Sequence, residues 1–170
     1  VLVDGATIAA SMVLAPGYES LWCLPASLDL AGADIELITT FSEVERPFLL
    51  RTAIAELLST HDIDYIFVDC PPSLGMLTIN ALAAVSEVLI PIQCEFYALE
   101  GVQQLLRTIE FARERLNPEL QVSTILLTMF NSRTNLSVQV AAEVRGFFGE
   151  LVLETAIPRS TYVAEAPSFG

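Results

Sequence analysis

The hydrophobic residues of this chain fall into short continuous runs that alternate with segments of helical spacing. The run at 65–68 is uniformly apolar or aromatic and has the length of a strand. Such a run predicts a strand buried on both faces, as at the centre of a parallel sheet. It ends on Asp69, after which Pro71 and Pro72 prevent the strand from continuing. Similar runs predict further strands at 21–24, 88–92, 122–129 and 151–157.

The segments between these runs have the spacing of amphipathic helices. In 98–116 the apolar residues recur every three or four positions and charged residues occupy the opposite face. Asn117 and Pro118 end this helix. Ser27 is placed to cap a helix that runs to about residue 38, and Pro47 suits the first turn of the next one. Two further helices are expected at 74–85 and between a cap at Thr134 or Asn135 and a stop at Gly149.

The alternation of apolar strands and helices predicts an α/β fold, with a mostly parallel sheet covered by helices on both faces. No repeat or linker interrupts residues 1–170, so a single domain is expected. Ligands of open α/β sheets bind beyond the carboxyl ends of the strands. Asp69 therefore has the place of a Walker B carboxylate, which holds Mg²⁺ directly or through water. The alternative is that Asp69 only caps the following helix.

The charge balance restricts the possible partners. The net charge is −13, and the eight basic residues are all arginine, with no lysine. This balance argues against a broad basic surface for nucleic acid, although a local arginine site remains compatible with it. No run is long and clean enough to span a membrane, no signal peptide is visible, and a cytoplasmic protein is expected.

Several classes of site have too few residues to be built. Cys23, Cys70 and Cys94 are odd in number and widely spaced, which favours neither disulfides nor zinc and fits a reducing compartment. His61 is the single histidine, so a histidine-based metal site or catalytic triad has little to build on. No G-x-G-x-x-G follows a predicted strand, which disfavours a dinucleotide-dependent oxidoreductase.

Five stretches carry a family resemblance. They are PASLDLAGA at 25–33, YIFVDCPPSLGMLTIN at 65–80, IPIQCEFYALEG at 90–101, LTMFNSRTNL at 127–136, and IPR at 157–159 with EAPSFG at 165–170. In this order they resemble the ParA/Soj family of chromosome- and plasmid-partitioning ATPases, and together they cover nearly the whole chain. The resemblance implies a P-loop NTPase-like fold of the deviant Walker type.

The family resemblance also implies a function. Such proteins bind ATP and Mg²⁺, form a homodimer around the nucleotide, bind DNA without sequence preference and are stimulated by a ParB-like partner. A cytoplasmic, nucleoid-associated location without membrane attachment would follow. Two alternatives stay open. One is a MinD-like positioning ATPase, and the other is a non-catalytic interaction module that retains the fold.

The resemblance assigns roles to residues on the predicted carboxyl edge of the sheet. Asp69 matches the Walker B aspartate, which holds Mg²⁺ through water. Pro71, Pro72 and Gly75 match the segment that senses the γ-phosphate, so nucleotide binding is expected along this whole stretch. The sequence also allows Gly75 to be read as a position where the backbone meets a neighbour closely.

A second group of residues is assigned to the adenine and to DNA. The turns at Met129 and at Pro158 and Arg159 match positions that border the adenine. Arg133 matches an arginine that the family uses on DNA. Simpler interpretations are a strand stop followed by a surface charge, and a solvated loop arginine. Tyr162 stands where relatives usually carry another DNA-contacting arginine, so only weak DNA binding is expected.

The chain departs from the family pattern in its phosphate-binding elements. The family's Gly-rich phosphate loop contains lysines, and this chain has none. A strand ending in Asp-x-Asp-Pro is also missing. Both normally precede the first residue of this sequence, which is therefore expected to be the C-terminal two-thirds of the ATPase domain, inactive alone and without catalytic residues. The family places the phosphate-loop strand between 65–68 and 88–92, so uncovered apolar side chains are expected there.

Overall fold

The computed structural model describes residues 1–26, 30–71, 73, 75–96 and 98–168. They cluster into two compact units. Unit 1 comprises Val1–Ser86 and Phe111–Glu119, and unit 2 comprises Glu87–Glu110 and Leu120–Gly170. The single domain over residues 1–170 stays a prediction.

Unit 1 is mainly helical. The short strands β1 (Val13–Leu14) and β2 (Trp22–Cys23) pair as an antiparallel ladder whose residues are exposed. The strand predicted at 21–24 therefore lies in a hairpin and not in the parallel sheet. The predicted cap at Ser27 lies outside the described residues. The elements of unit 1 in chain order are α1 (Ile8–Ser11), β1 (Val13–Leu14), β2 (Trp22–Cys23), α2 (Leu30–Thr40), a 3₁₀ turn (Arg46–Phe48), α3 (Leu49–Thr60) and α4 (Met76–Ala84).

Helix α4 is the most buried element of unit 1, and α2 and α3 pack against it. Leu37 of α2 and Leu57 of α3 are buried. The fully buried Asn80 donates from its side-chain amide to the carbonyls of Arg46 (2.7 Å) and Met76 (3.1 Å), and its Oδ1 accepts from the N–H of Leu50 (3.1 Å). A buried amide with these partners fixes the start of α3 against α4, because leaving its polar atoms unpaired would be costly.

The end of α4 is held by a second buried amide. Asn117 donates from Nδ2 to the carbonyl of Leu82 (3.0 Å) and to that of Val85 (2.6 Å). The last carbonyls of a helix have no partner within the helix, and a side-chain donor supplies one. Asn117, which was expected only to end a helix, therefore also caps the C-terminus of α4.

The prediction of a buried central strand at 65–68 is wrong. No described residue pairs with this segment as a neighbouring strand, and Tyr65 and Phe67 are 82% and 87% exposed. Their rings stack on each other with centroids 6.4 Å apart. An apolar run becomes a buried strand only where neighbouring strands accept its hydrogen bonds and cover its faces. The aromatic side chains of Tyr65 and Phe67 are uncovered, and the expected gap between 65–68 and 88–92 stays a prediction.

Unit 2 contains a parallel sheet in the order β3 (Glu87–Gln93), β4 (Gln121–Phe130), β5 (Val152–Pro158), which confirms the α/β class. Its core includes Ile90, Ile92, Ile125 and Leu127 from the strands and Val144 from the following helix, α6 (Asn135–Phe148). The elements in chain order are β3 (Glu87–Gln93), α5 (Ala98–Arg115, shared with unit 1), β4 (Gln121–Phe130), α6 (Asn135–Phe148), a 3₁₀ turn (Gly149–Leu151), β5 (Val152–Pro158), α7 (Thr161–Glu165) and a 3₁₀ turn (Ala166–Ser168).

The ends of α6 agree with the sequence prediction. Gly149 adopts a φ of +58°, which favours glycine, and its N–H donates to the carbonyl of Arg145. Thr134 occupies the N-cap position without capping the helix through its side chain, because its hydroxyl donates to the carbonyl of Asn131 instead. The capping position is correct, and the expected capping bond is absent.

Candidate functional site

Asp69 lies in an irregular exposed segment of unit 1, ahead of α4. Asp69 itself is exposed to solvent. The neighbouring Cys70 is exposed as a residue, but partial burial raises the pKa of its thiol and the Asp69 carboxylate raises it further. Among the described residues, no group of three His, Cys, Asp or Glu side chains is arranged to hold a metal ion. Pro71 is exposed, and the predicted site residue Pro72 lies outside the described residues.

Gly75 immediately precedes α4 and lies against the carboxylate of Asp34. A β carbon at position 75 would stand 3.0 Å from Cγ and 3.2 Å from Oδ1 of Asp34, and closer still to Oδ2. Asp34 Oδ1 also accepts the N–H of Leu77 at 2.9 Å. The close backbone approach expected at Gly75 therefore exists, and its neighbour within the chain is a carboxylate of α2.

The sequence interpretation missed Asp34. Its only local signal is its position beside the buried Ala33 and three residues before the buried Leu37, which places it next to the apolar face of α2. A second hydrogen bond holds the same part of the chain, since the Thr78 hydroxyl donates to the carbonyl of Ser73 at 2.7 Å. The segment after Asp69 is thus fixed at its C-terminal end.

In unit 2, three predicted site residues meet at the carboxyl edge of the sheet. The N–H of Arg159 donates to the carbonyl of Phe130 at 3.0 Å, which joins the end of β5 to that of β4. Pro158 is the last residue of β5 and pairs with Phe130, beside Met129. The Arg159 guanidinium lies 3.9 Å from a carboxylate oxygen of Glu95, which follows β3. Both side chains are largely exposed, so this ion pair contributes little to stability.

Arg133 lies in the turn that joins β4 to α6. Its N–H donates to Oδ1 of Asn131 at 3.0 Å, and the N–H of Asn131 donates to the hydroxyl of Ser137 at 2.9 Å. These bonds order the backbone of the turn and leave the Arg133 side chain exposed.

The buried Cys94 lies in the same unit. Burial raises the pKa of its thiol, while a hydrogen bond with Ser137 and the charge of Arg145 act in the opposite direction.

The predicted site residues thus form two groups. Asp69, Pro71 and Gly75 belong to unit 1, whereas Met129, Arg133, Pro158 and Arg159 belong to unit 2 at the carboxyl ends of parallel strands. Carboxyl edges of parallel sheets are the usual place for phosphate-bearing ligands. No helix among the described residues has the length and apolar character needed to cross a membrane.

Comparison with known sequences gives consistent matches. The family model of an AAA domain matches residues 1–122. The chromosome partitioning protein ParA of Myxococcus xanthus is 51% identical over 150 residues, which are 88% of this chain and 51% of that protein. The sporulation initiation inhibitor protein Soj of Bacillus subtilis is 46% identical over 170 residues, which are 100% of this chain and 65% of that protein. This chain therefore spans between half and two thirds of these relatives.

A solved protein structure has a fold similar to that of this chain. Cobyrinic acid a,c-diamide synthase from Mycobacterium smegmatis has a TM-score of 0.81 and 39% sequence identity, over 94% of this chain and 62% of that chain. That protein has been solved with ADP and magnesium and with an ATP analogue and magnesium.

Proposed function

Because this chain belongs to the ParA/Soj family of partitioning ATPases, we propose that it works in an ATP-dependent switch that partitions DNA. ATP and Mg²⁺ would close a homodimer that holds DNA without sequence preference, and a ParB-like partner would stimulate hydrolysis and release it. The observation that carries the proposal is the 51% identity with a protein named for chromosome partitioning. The proposed location is the cytoplasm, at the nucleoid.

Asp69 is the residue proposed to serve the magnesium ion. Mg²⁺ prefers oxygen ligands and keeps several of its waters, so one exposed carboxylate suits it without a cage of protein ligands. The bound ion would neutralise charge on the phosphates during their transfer to water. Asp69 would hold the waters of that ion, and Pro71, Pro72 and Gly75 would form the segment next to the γ-phosphate.

The carboxyl edge of unit 2 is proposed to border the adenine. The hydrogen bond between Arg159 and Phe130 holds the ends of β4 and β5 together, which supports a fixed wall formed by Met129 and Pro158. A wall of backbone and apolar side chains suits a flat base, because it offers contact area and carbonyl acceptors together.

DNA binding is proposed to depend on few arginines. Arg133 is exposed in an ordered turn, which supports its use on a phosphate. Tyr162 is exposed, at the position where the family resemblance places a second DNA-contacting arginine, and the net charge is −13. Binding of DNA should therefore be weak, and its salt dependence should be shallow because few phosphates are neutralised.

Two alternative functions stay open. A non-catalytic interaction module would retain the fold without the phosphate loop, which in the family contains lysines. A MinD-like positioning ATPase would share the nucleotide chemistry and would differ in its cargo.

The test is an ATP hydrolysis assay on the protein as the gene encodes it, with magnesium varied. The proposal expects turnover that requires Mg²⁺ and is lost in Asp69→Asn, while Asp62→Asn, which removes another exposed carboxylate, keeps it. The 170-residue chain alone is expected to show no turnover. Absence of nucleotide binding from the encoded protein would reject the ATPase and favour the interaction module.

A further inference from the structure

The start of α4 is capped from a different helix. The first N–H groups of a helix lack partners within it, and the N-cap side chain usually supplies one. The N-cap of α4 is Gly75, which has no side chain. Asp34 of α2 takes over this role, because its Oδ1 accepts the N–H of Leu77 at 2.9 Å. A carboxylate is well suited to this position because it also faces the positive end of the helix dipole.

The same carboxylate decides which residue can stand at position 75. Gly75 has φ −80° and ψ −173°, an extended conformation that any residue adopts. A β carbon there would nevertheless overlap Asp34, whose Cγ and Oδ1 would lie 3.0 Å and 3.2 Å away and whose Oδ2 would lie closer. Glycine is thus required by the neighbouring carboxylate and not by backbone conformation.

Asp34 is itself held in place by the packing of its helix. Ala33 and Leu37, on either side of it, are buried, and α2 packs against α4. The Thr78 hydroxyl adds a bond from α4 to the carbonyl of Ser73. The C-terminal end of the segment that begins at Asp69 is therefore anchored to two helices, and one anchor is the Asp34 carboxylate.

We infer that Asp34 is a positioning residue for the magnesium site proposed at Asp69. By fixing Gly75 and Leu77, it holds the point at which the chain from Asp69 enters α4, and hence limits where the Asp69 carboxylate lies. The inference rests on the proposed function of this site. Asp34 contacts Gly75 and acts on Asp69 through the backbone that joins these two residues. It is therefore not one of the residues proposed to face the nucleotide.

The first test measures the dependence of turnover on magnesium in the protein as the gene encodes it. Asp34→Ala should raise the Mg²⁺ concentration for half-maximal turnover about tenfold, as expected when a group that orients a metal ligand is lost. Asp34→Asn should restore most of the wild-type value, because its Oδ1 still accepts from Leu77. Glu36→Ala, which removes an exposed carboxylate from the same helix, should leave it unchanged.

The second test is a double-mutant cycle read by urea unfolding of the same protein. Gly75→Ala should lower the unfolding midpoint when Asp34 is present, and should have a much smaller effect in the Asp34→Ala background, because the overlapping carboxylate is gone. Additive effects of the two substitutions would show that the contact does not operate and would overturn the inference.

The two tests separate the inference from the function beneath it. A non-additive cycle together with an unchanged magnesium requirement in Asp34→Ala would reject the positioning role and leave the ATPase proposal standing. A wild-type protein without magnesium-dependent turnover would reject the ATPase proposal, and the positioning role would fall with it, even if the cycle still showed the contact.

Discussion

Phe130 and Pro158 pair across the ends of β4 and β5, immediately after a bulge in β4. Between this pair and the preceding pair of Leu127 with Ala156, β4 contains one residue more than β5. The extra length is taken up at Met129, whose φ of +52° lies in the left-handed region. A residue other than glycine is strained there by roughly 1–2 kcal/mol. The strain lies at the edge proposed to border the adenine.

The left-handed conformation at the bulge predicts which substitutions of Met129 are tolerated best. Met129→Asn should be tolerated, because asparagine accepts a left-handed conformation, whereas the β-branched Met129→Val should cost about 1–2 kcal/mol more. The measurement is the free energy of unfolding in urea. Leu153 of β5 is the control, since at an ordinary exposed strand position valine should be better tolerated than asparagine. The same order at both positions would contradict the left-handed conformation.

Asn80→Ala should destabilise the chain by about 2–4 kcal/mol. The substitution leaves the carbonyl of Arg46 and the N–H of Leu50 without their buried partner, and each loss costs about 1–3 kcal/mol. Asn135→Ala removes an exposed amide from the first position of α6 and should cost little. Equal unfolding free energies for the two variants would show that the Asn80 bonds do not hold α3 to α4.

Asp69→Asn should make the Cys70 thiol more reactive. The Asp69 charge is the second cause of the raised pKa at Cys70, so its removal lowers that pKa and increases the thiolate fraction at pH 8. Alkylation followed by mass spectrometry should show a faster rate at Cys70 and a labelling profile shifted to lower pH. The exposed Cys23 serves as the internal reference. An unchanged Cys70 rate would place the Asp69 carboxylate away from the thiol.

Arg133→Glu should weaken DNA retention while ATP turnover without DNA stays unchanged. The substitution replaces an exposed positive charge in an ordered turn, so affinity should fall at least about threefold and its salt dependence should become shallower. Arg107→Glu makes the same charge change at an exposed position of α5 and separates a local contact from net charge. If both variants retain DNA equally, Arg133 has no specific role.

Phe67→Ser should leave stability nearly unchanged and reduce self-association. The side chain is largely exposed, so its removal costs little burial free energy, within about 0.5 kcal/mol. Exposed aromatic surface favours association, which light scattering of the 170-residue chain would detect. A loss of more than about 2 kcal/mol in unfolding free energy would indicate that Phe67 is buried after all.

The local pattern was sufficient for most helices and for the three parallel strands. The amphipathic spacing of α5, the glycine stop of α6 and the apolar runs of β4 and β5 are each set within a few residues, and the structure agrees closely with them. Asp69 was also selected from sequence by its place after an apolar run, and Arg133 and Arg159 were selected by family resemblance. The magnesium, adenine and DNA roles of these residues stay predictions.

Tertiary structure alone decided what depends on distant neighbours. The run at 65–68 has the composition of a buried strand, yet its burial depends on partners that no local pattern supplies. Gly75 is explained by Asp34, and the Asp34–Leu77 bond spans 43 positions of the chain. The strained φ of Met129 results from the register of β4 against β5. Hydrophobic periodicity and secondary-structure propensity act within single helices and strands. Strand pairing, steric overlap between side chains and strand register exist only once separate segments of the chain meet.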